Sequence, residues 1–199
     1  MKLLVATTNP GKLVEVREIL DGLPLQLVSL ADLGLPGPDE TGTTFAQNAA
    51  QKATESARAA KLWTLGDDSG LCVDALGGAP GVLSARYAPT DAERREKLLR
   101  RMAGVAEGRR AAHFQCAVVL SSPDGKRIFR SEGRVDGRIV QEARGQNGFG
   151  YDPLFEPAET PGKTIAELPS AQKNELSHRG RALARMRPLL EQLAREGKV

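Results

Sequence analysis

The chain is short of several residues on which whole functional classes depend. Its 199 residues hold two cysteines, two histidines and only 4% aromatics. Cys72 and Cys116 each sit in an apolar, strand-like run, which reads as a pair of buried free thiols rather than a disulfide framework. So few aromatic rings leave few platforms on which single-stranded nucleic acid could stack. The formal charge is +3. That mildly favours anionic ligands but falls short of a nucleic-acid surface, so no nucleic-acid partner is expected. No apolar stretch approaches the ~20 residues needed to span a bilayer, so no membrane partner is expected either. Met1-Lys2 leads straight into an apolar strand without a signal-peptide pattern, and a cytoplasmic location is expected. Apolar (40%) and charged (27%) fractions are those of an ordinary soluble protein, long enough for one α/β domain or two small lobes.

Against that plain background two runs stand out. Asp67-Asp68-Ser69-Gly70 lies between the apolar stretches Leu62–Gly66 and Leu71–Val73. A strand ending in two carboxylates and a tight turn suits Mg²⁺, which prefers hard oxygen ligands and shares its shell with water and phosphate. The second run is Thr7-Thr8-Asn9-Pro10-Gly11-Lys12, between a strand-like Lys2–Ala6 and a helical pattern. Backbone N–H groups at a helix start, hydroxyls and a lysine suit a phosphate. Together the runs point to metal-assisted chemistry on a phosphorylated substrate.

The organisation follows from periodicity and breakers. Leu3–Ala6 is a buried strand, and Leu13, Val16, Ile19 and Leu20 recur at helical spacing before Asp21-Gly22. Leu25, Leu27 and Val28 form a second strand, and residues 31–42 a loop rich in glycine and proline. Thr43 or Thr44 caps a helix to about Lys61, with Phe45, Ala49, Ala53, Ala57 and Ala60 as its apolar stripe. On an adjacent face Asn48 and Lys52 lie one turn apart and can offer an amide and an ammonium to one ligand. After a Gly/Pro-rich stretch a charged helix spans about Asp91–Met102. Phe114–Ser121 and Lys126–Arg138 are strands joined at Pro123-Asp124-Gly125. Residues 141–163 read as loop. A last helix runs from Ser177 to about Glu196, where Pro188 should bend or restart it.

Each constellation has a plain reading beside the functional one. Thr7–Lys12 is not a P-loop, because it lacks the first glycine and has no Ser/Thr after the lysine. It is either a phosphate loop or an ordinary strand-to-helix turn. Adjacent strand residues point to opposite faces, so Asp67 and Asp68 serve one site only if the strand has already ended, as Ser69-Gly70 implies. Otherwise they are a solvated turn or a helix cap. Asp39-Glu40 precedes a helix, where acids are stabilising in any case. His178-Arg179 places a cation at a helix start, against the helix dipole. It therefore needs another purpose, either recognition of an anion or base, which Lys173 could share, or a salt bridge. Gly148 and Gly150 allow close backbone approach, so Phe149 or Tyr151 could stack on a flat base or belong to the core.

The chain resembles the non-canonical purine nucleoside triphosphate pyrophosphatases, the inosine/xanthosine triphosphate pyrophosphatase family. The likeness runs from residue 3 to about 185. It rests on five motifs in order: Ala6–Lys12; Glu40-Thr41-Gly42 with Phe45 and Asn48-Ala49; Asp67–Leu71; Gly148–Pro153; and Ser177–Gly180. Leu76–Gly81 and Ser84–Tyr87 are also family-like. The resemblance implies a single two-lobed α/β domain over residues 1–199, with a long mixed central β-sheet flanked by helices and the active site in the cleft between lobes. It implies a Mg²⁺-dependent homodimer that hydrolyses inosine, deoxyinosine and xanthosine triphosphates to the monophosphate and pyrophosphate, cleansing the nucleotide pool. It further implies that Thr7, Thr8, Asn9, Pro10, Gly11, Lys12 and Lys52 hold the triphosphate. Glu40 and Asp68 serve the metal, with Asp68 also the general base. Ser69, Phe149, Gly150, Tyr151, Asp152, Lys173, His178 and Arg179 bind substrate and read the base. From donor chemistry, His178 and Arg179 at their helix start are expected at the 6-oxo edge of the purine, an acceptor where adenine presents an amino donor. One departure is Gln47, where many relatives carry glutamate, so a metal or charge role at that position is in doubt.

Three rivals are distinguishable. Maf-like pyrophosphatases share the architecture but carry a Ser-Pro-Arg-Arg type first loop that is absent here. A phosphatase with an aspartate nucleophile would want Asp-x-Asp. A non-catalytic nucleotide-binding module would have little need of the acids Glu40, Asp67 and Asp68.

Overall fold

The computed structural model describes residues 1–197. Six strands and five α-helices alternate along them: β1 (Lys2–Ala6), α1 (Pro10–Ile19), β2 (Gln26–Ser29), α2 (Phe45–Ala60), β3 (Trp63–Val73), α3 (Asp91–Arg101), β4 (Ala111–Ser121), β5 (Ile128–Ile139), β6 (Phe155–Pro157), α4 (Ser170–Leu176) and α5 (His178–Arg195). The strands form one mixed sheet in the order β2-β1-β3-β4-β5-β6. β1 pairs in parallel with β2 and with β3, whereas β5 and β6 are antiparallel. The fold is α/β.

By compactness the chain divides into two units. The first comprises Met1–Asp68, Cys116–Gly133 and the chain from Arg179 on; the second comprises Ser69–Gln115 and Arg134–His178. In the first unit Leu3 and Val5 of β1, Trp63 and Leu65 of β3, and Cys116, Val118 and Leu120 of β4 form a core with Val16 of α1 and Leu183, Met186 and Leu190 of α5. In the second, Leu71, Val73, Phe114, Val135 and Ile139 of the sheet gather Leu98 and Met102 from α3, together with Tyr151, Leu154 and Phe155.

Three expectations from the sequence are corrected. β3 does not end at Asp67-Asp68 but runs unbroken to Val73, taking Ser69-Gly70 with it. Pairing with β1 stops at Gly66, and β4 is the neighbouring strand on the other side; sheet context outweighs the turn preference of those two residues. The stretch read as loop over 141–163 contains β6, and α4 precedes the last helix; both are too short to show a period. Pro188 lies inside α5 without interrupting it.

Local chemistry explains where α2 starts and how near it comes to the sheet. Thr44 and Gln47 form a reciprocal capping box: the Thr44 hydroxyl accepts from Gln47 N, and Gln47 Oε1 accepts from Thr44 N. The neutral Gln47 thus performs a capping task, leaving its amide oxygen on Thr43 and Thr44. At β3, Gly66 lets the helix backbone approach. A Cβ there would lie 2.5 Å from Ala49 O and 2.7 Å from Ala53 N, contacts no real side chain makes. Gly66→Ala is therefore expected to lower unfolding stability by about 2–3 kcal/mol through overpacking, read as a shifted chemical-denaturation midpoint. An unchanged midpoint would mean that α2 has room to move.

Candidate active site

In the first unit the loop between β1 and α1 is closed on itself. Asn9 is the N-cap of α1, and its Oδ1 accepts from Gly11 N (2.9 Å) and Lys12 N (3.2 Å). Thr7 Oγ1 accepts from Asn9 N. Two of the backbone donors expected to face a phosphate are thus engaged by the loop's own cap. Pro10 occupies the first helical turn, where its missing N–H costs nothing. The group that leads out of the loop is the Lys12 ammonium, 3.0 Å from Asp67 Oδ1.

Because β3 continues, its alternation sends Asp67 and Asp68 to opposite faces, and their partners differ accordingly. Asp67 meets Lys12, and its Oδ2 accepts from Arg179 Nε at 2.8 Å and from the Cys116 thiol at 3.5 Å. Arg179, 1% exposed, also donates to Glu15 of α1. Burial disfavours the Asp67 carboxylate, but Arg179, Lys12 and Lys52 outweigh it and hold its pKa well below the usual carboxylate range. Burial and the Asp67 charge push the Cys116 thiol up, so it stays protonated as a donor. The cation at the start of α5 thereby finds its purpose. Arg179 is one member of a buried chain Glu15–Arg179–Asp67–Lys12, rather than a guanidinium held out toward a base.

Asp68 belongs to a second group. Its Oδ1 accepts from Lys52 Nζ at 3.2 Å and its Oδ2 from Asn48 Nδ2 at 3.0 Å, both donors on α2. Lys52 also donates to Glu40 Oε1 at 2.7 Å, so two carboxylates converge on one ammonium. Burial disfavours the charge on Lys52, yet Asp68, Asp67 and Glu40 raise its pKa above the ordinary lysine value. Glu40 and Asp68 suit a hard cation that takes one or two carboxylates and completes its shell with phosphate and water. Asp67, spent on Lys12 and Arg179, is not placed beside them. Among the described residues no group of three or more His, Cys, Asp or Glu side chains could hold a metal by itself.

The second unit carries Ser69, directly after Asp68 in β3, and the glycine-rich segment. Lys173 Nζ donates to Asp152 Oδ2 at 2.6 Å, and both residues are buried. The same carboxylate oxygen accepts from Phe149 N, and the Lys173 ammonium lies 5.1 Å from the Phe149 ring centre. Gly148 is required here: its φ is +78°, and a Cβ would lie 2.2 Å from Asp152 Oδ2. Gly150 is pinned from both sides, N to Asp91 Oδ2 and O to Arg95. Tyr151 belongs to the core: it is 4% exposed, and its hydroxyl donates to Ser84 O. Of the two aromatics considered for stacking, only Phe149 remains half-exposed. His178 stacks on Phe114 at 4.8 Å between ring centres, its own ring nearly parallel.

A family model described as the Ham1 family matches residues 3–189. The chain belongs to the Ham1 family. It is 44% identical to a protein of Anaeromyxobacter sp. named dITP/XTP pyrophosphatase, over 99% of this chain and 100% of that protein. It is 50% identical to one of the same name from Geobacter sulfurreducens, over 92% and 93% respectively. Among solved structures, a HAM1 protein from Coxiella burnetii superposes with a TM-score of 0.85 at 38% identity, covering 96% of this chain and 99% of the other. A nucleoside-triphosphatase / dITP/XTP pyrophosphatase from Mycobacterium abscessus gives 0.72 at 44% identity, over 94% and 100%.

Glu15 and Cys116 complete the polar network that the Ham1-family motifs, Asn48 among them, begin. Glu15 and Cys116 carry no sequence signal, whereas Asn48 stands one turn before Lys52. Removing one partner from a buried ion pair strands the others, so Asp67→Asn is expected to cost about 3–5 kcal/mol at neutral pH. The folded-state pKa of Asp67 is depressed, so its contribution is present above the ordinary carboxylate value of about 3.9 and is lost as pH falls toward the folded value. The gap in melting temperature between wild type and Asp67→Asn should therefore narrow below about pH 4. A gap that is constant with pH would mean that Asp67 is not held ionised.

Proposed function

We propose that this protein hydrolyses the triphosphates of inosine, deoxyinosine and xanthosine to the nucleoside monophosphate and pyrophosphate. The observation that carries the reading is the convergence of Glu40 and Asp68 on Lys52, with Lys12 held at the neighbouring strand position Asp67, in a chain of the Ham1 family. Lys12 and Lys52 supply fixed positive charge to a triphosphate. Asp68 accepts the proton of the water that attacks the α-phosphorus as the bond to the leaving pyrophosphate breaks. Phosphoryl transfer of this kind is mostly positioning and electrostatics. Mg²⁺, held by Glu40 and Asp68, would offset charge on the phosphates.

In the second unit, Lys173 is a donor suited to the 6-oxo acceptor of hypoxanthine or xanthine; adenine presents an amino donor there. Phe149 offers the flat face. A site that hydrogen-bonds one edge rejects an analogue lacking it, because buried polar groups go unpaired. This role falls to Lys173 and Asp152 rather than to Arg179, whose guanidinium is committed to Asp67 and Glu15. The homodimer and the metal belong to this reading as what the family resemblance implies. The low net charge and the want of any membrane-spanning helix among the described residues fit a small-molecule substrate.

The test is release of pyrophosphate from a nucleotide panel. Turnover should favour inosine and xanthosine triphosphates, disappear with EDTA and return with Mg²⁺. Asp68→Asn is expected to lower kcat by at least ~10²-fold without loss of fold. Activity within a few-fold of wild type would overturn its role. Lys173→Ala should lower kcat/KM for inosine triphosphate more than for adenosine triphosphate, narrowing the difference by about 1–3 kcal/mol. Equal losses would place Lys173 on the phosphates.

A further inference from the structure

Asn48 is fully buried, and both ends of its amide are used. Nδ2 donates to Asp68 Oδ2 at 3.0 Å, and Oδ1 accepts from Gly42 N at 2.8 Å. The two bonds fix the amide's orientation, since the Gly42 N–H requires an acceptor and the carboxylate a donor. The other Asp68 oxygen is taken by Lys52, one helical turn on. Two donors from one helix thus hold the two Asp68 oxygens separately, which stops the carboxylate from rotating. The close seam at Gly66, two residues before Asp68, brings α2 near enough for both donors to reach. On its other side, Asn48 tethers Gly42, two residues after Glu40.

The structure assigns Asn48 as the positioning residue that sets the plane of the Asp68 carboxylate. This rests on the reading of Asp68 as proton acceptor. A general base works only when a lone pair is aimed at the proton it takes, and small misplacements cost heavily in rate. Asn48 acts through Asp68, so its loss falls on the chemical step and not on nucleotide affinity.

Asn48→Ala and Asn48→Asp separate the possibilities. The aspartate keeps an acceptor for Gly42 N but sets an oxygen where Asp68 needs a donor. Each variant is expected to lower kcat for inosine triphosphate by roughly 10- to 100-fold, the scale of one hydrogen bond to a charged group. In Asn48→Ala, KM should stay within about threefold, as should the dissociation constant of a non-hydrolysable inosine triphosphate analogue measured without added metal. In an Asp68→Asn background, Asn48→Ala should cost nothing further, because no carboxylate remains to be aimed. If Asn48→Ala melts too low to assay, Asn48→Asp gives the same kcat comparison in both backgrounds. A loss carried by KM or by analogue binding, or an equal fractional loss of kcat in the Asp68→Asn background, overturns the assignment. Near-normal Asn48 variants beside an inactive Asp68→Asn overturn Asn48 alone. An active Asp68→Asn overturns the role of Asp68 and this inference with it.

Discussion

The first unit is organised around one buried carboxylate. Asp67 draws Lys12 from the start of α1 and Arg179 from the start of α5 onto a single strand position, and Arg179 in turn holds Glu15. Charges this deep are tolerated only when paired and hydrogen-bonded. The arrangement therefore specifies more than it stabilises: two helix starts and a strand must meet in one register for any of the four groups to be satisfied. The Lys12 ammonium is located by this requirement before any ligand is considered.

The period of two along β3 then divides the labour between neighbours. Asp67 faces the cations that lock the scaffold, and Asp68 faces α2, where Asn48 and Lys52 hold it with Glu40 nearby. Two adjacent carboxylates thereby receive different surroundings. One is consumed by structure, and the other is oriented and shared with a lysine whose second partner is a carboxylate. Different environments for paired acids are a familiar way of assigning different roles to one residue type. The α/β class, β1 and the extents of α1, α2 and α5 were legible in the sequence, because each is a run long enough to show its period or its cap.

Lys12, Glu40, Lys52 and Asp68 were singled out largely through the family motifs that hold them; the structure joins Glu40 and Asp68 to Lys52 and Lys12 to Asp67. The extension of β3 was not legible: Ser69-Gly70 looks like a turn until its place in the sheet is known. Glu15 was hidden because a polar residue in a helix is read as solvated, and only a tertiary partner makes its burial sensible; Asn48 stood out by its spacing from Lys52, but its bond to Asp68 did not. Arg179 was conspicuous as a cation against a helix dipole, but its partners lie far away in the sequence, so pattern alone could not separate anion recognition from an internal ion pair. Tyr151 beside two glycines posed the same ambiguity, and burial resolved it in favour of the core.

The cations of the first unit's network are already engaged by carboxylates. Lys12 meets Asp67, Lys52 meets Glu40 and Asp68, and Arg179 meets Glu15 and Asp67. A polyanion drawn to Lys12 or Lys52 must share each ammonium with the carboxylate that already holds it. On the function proposed above, a nucleotide arriving with its own counter-cation presents less charge for those carboxylates to repel. Screening by simple salt should then matter less for association than the identity of the cation travelling with the substrate.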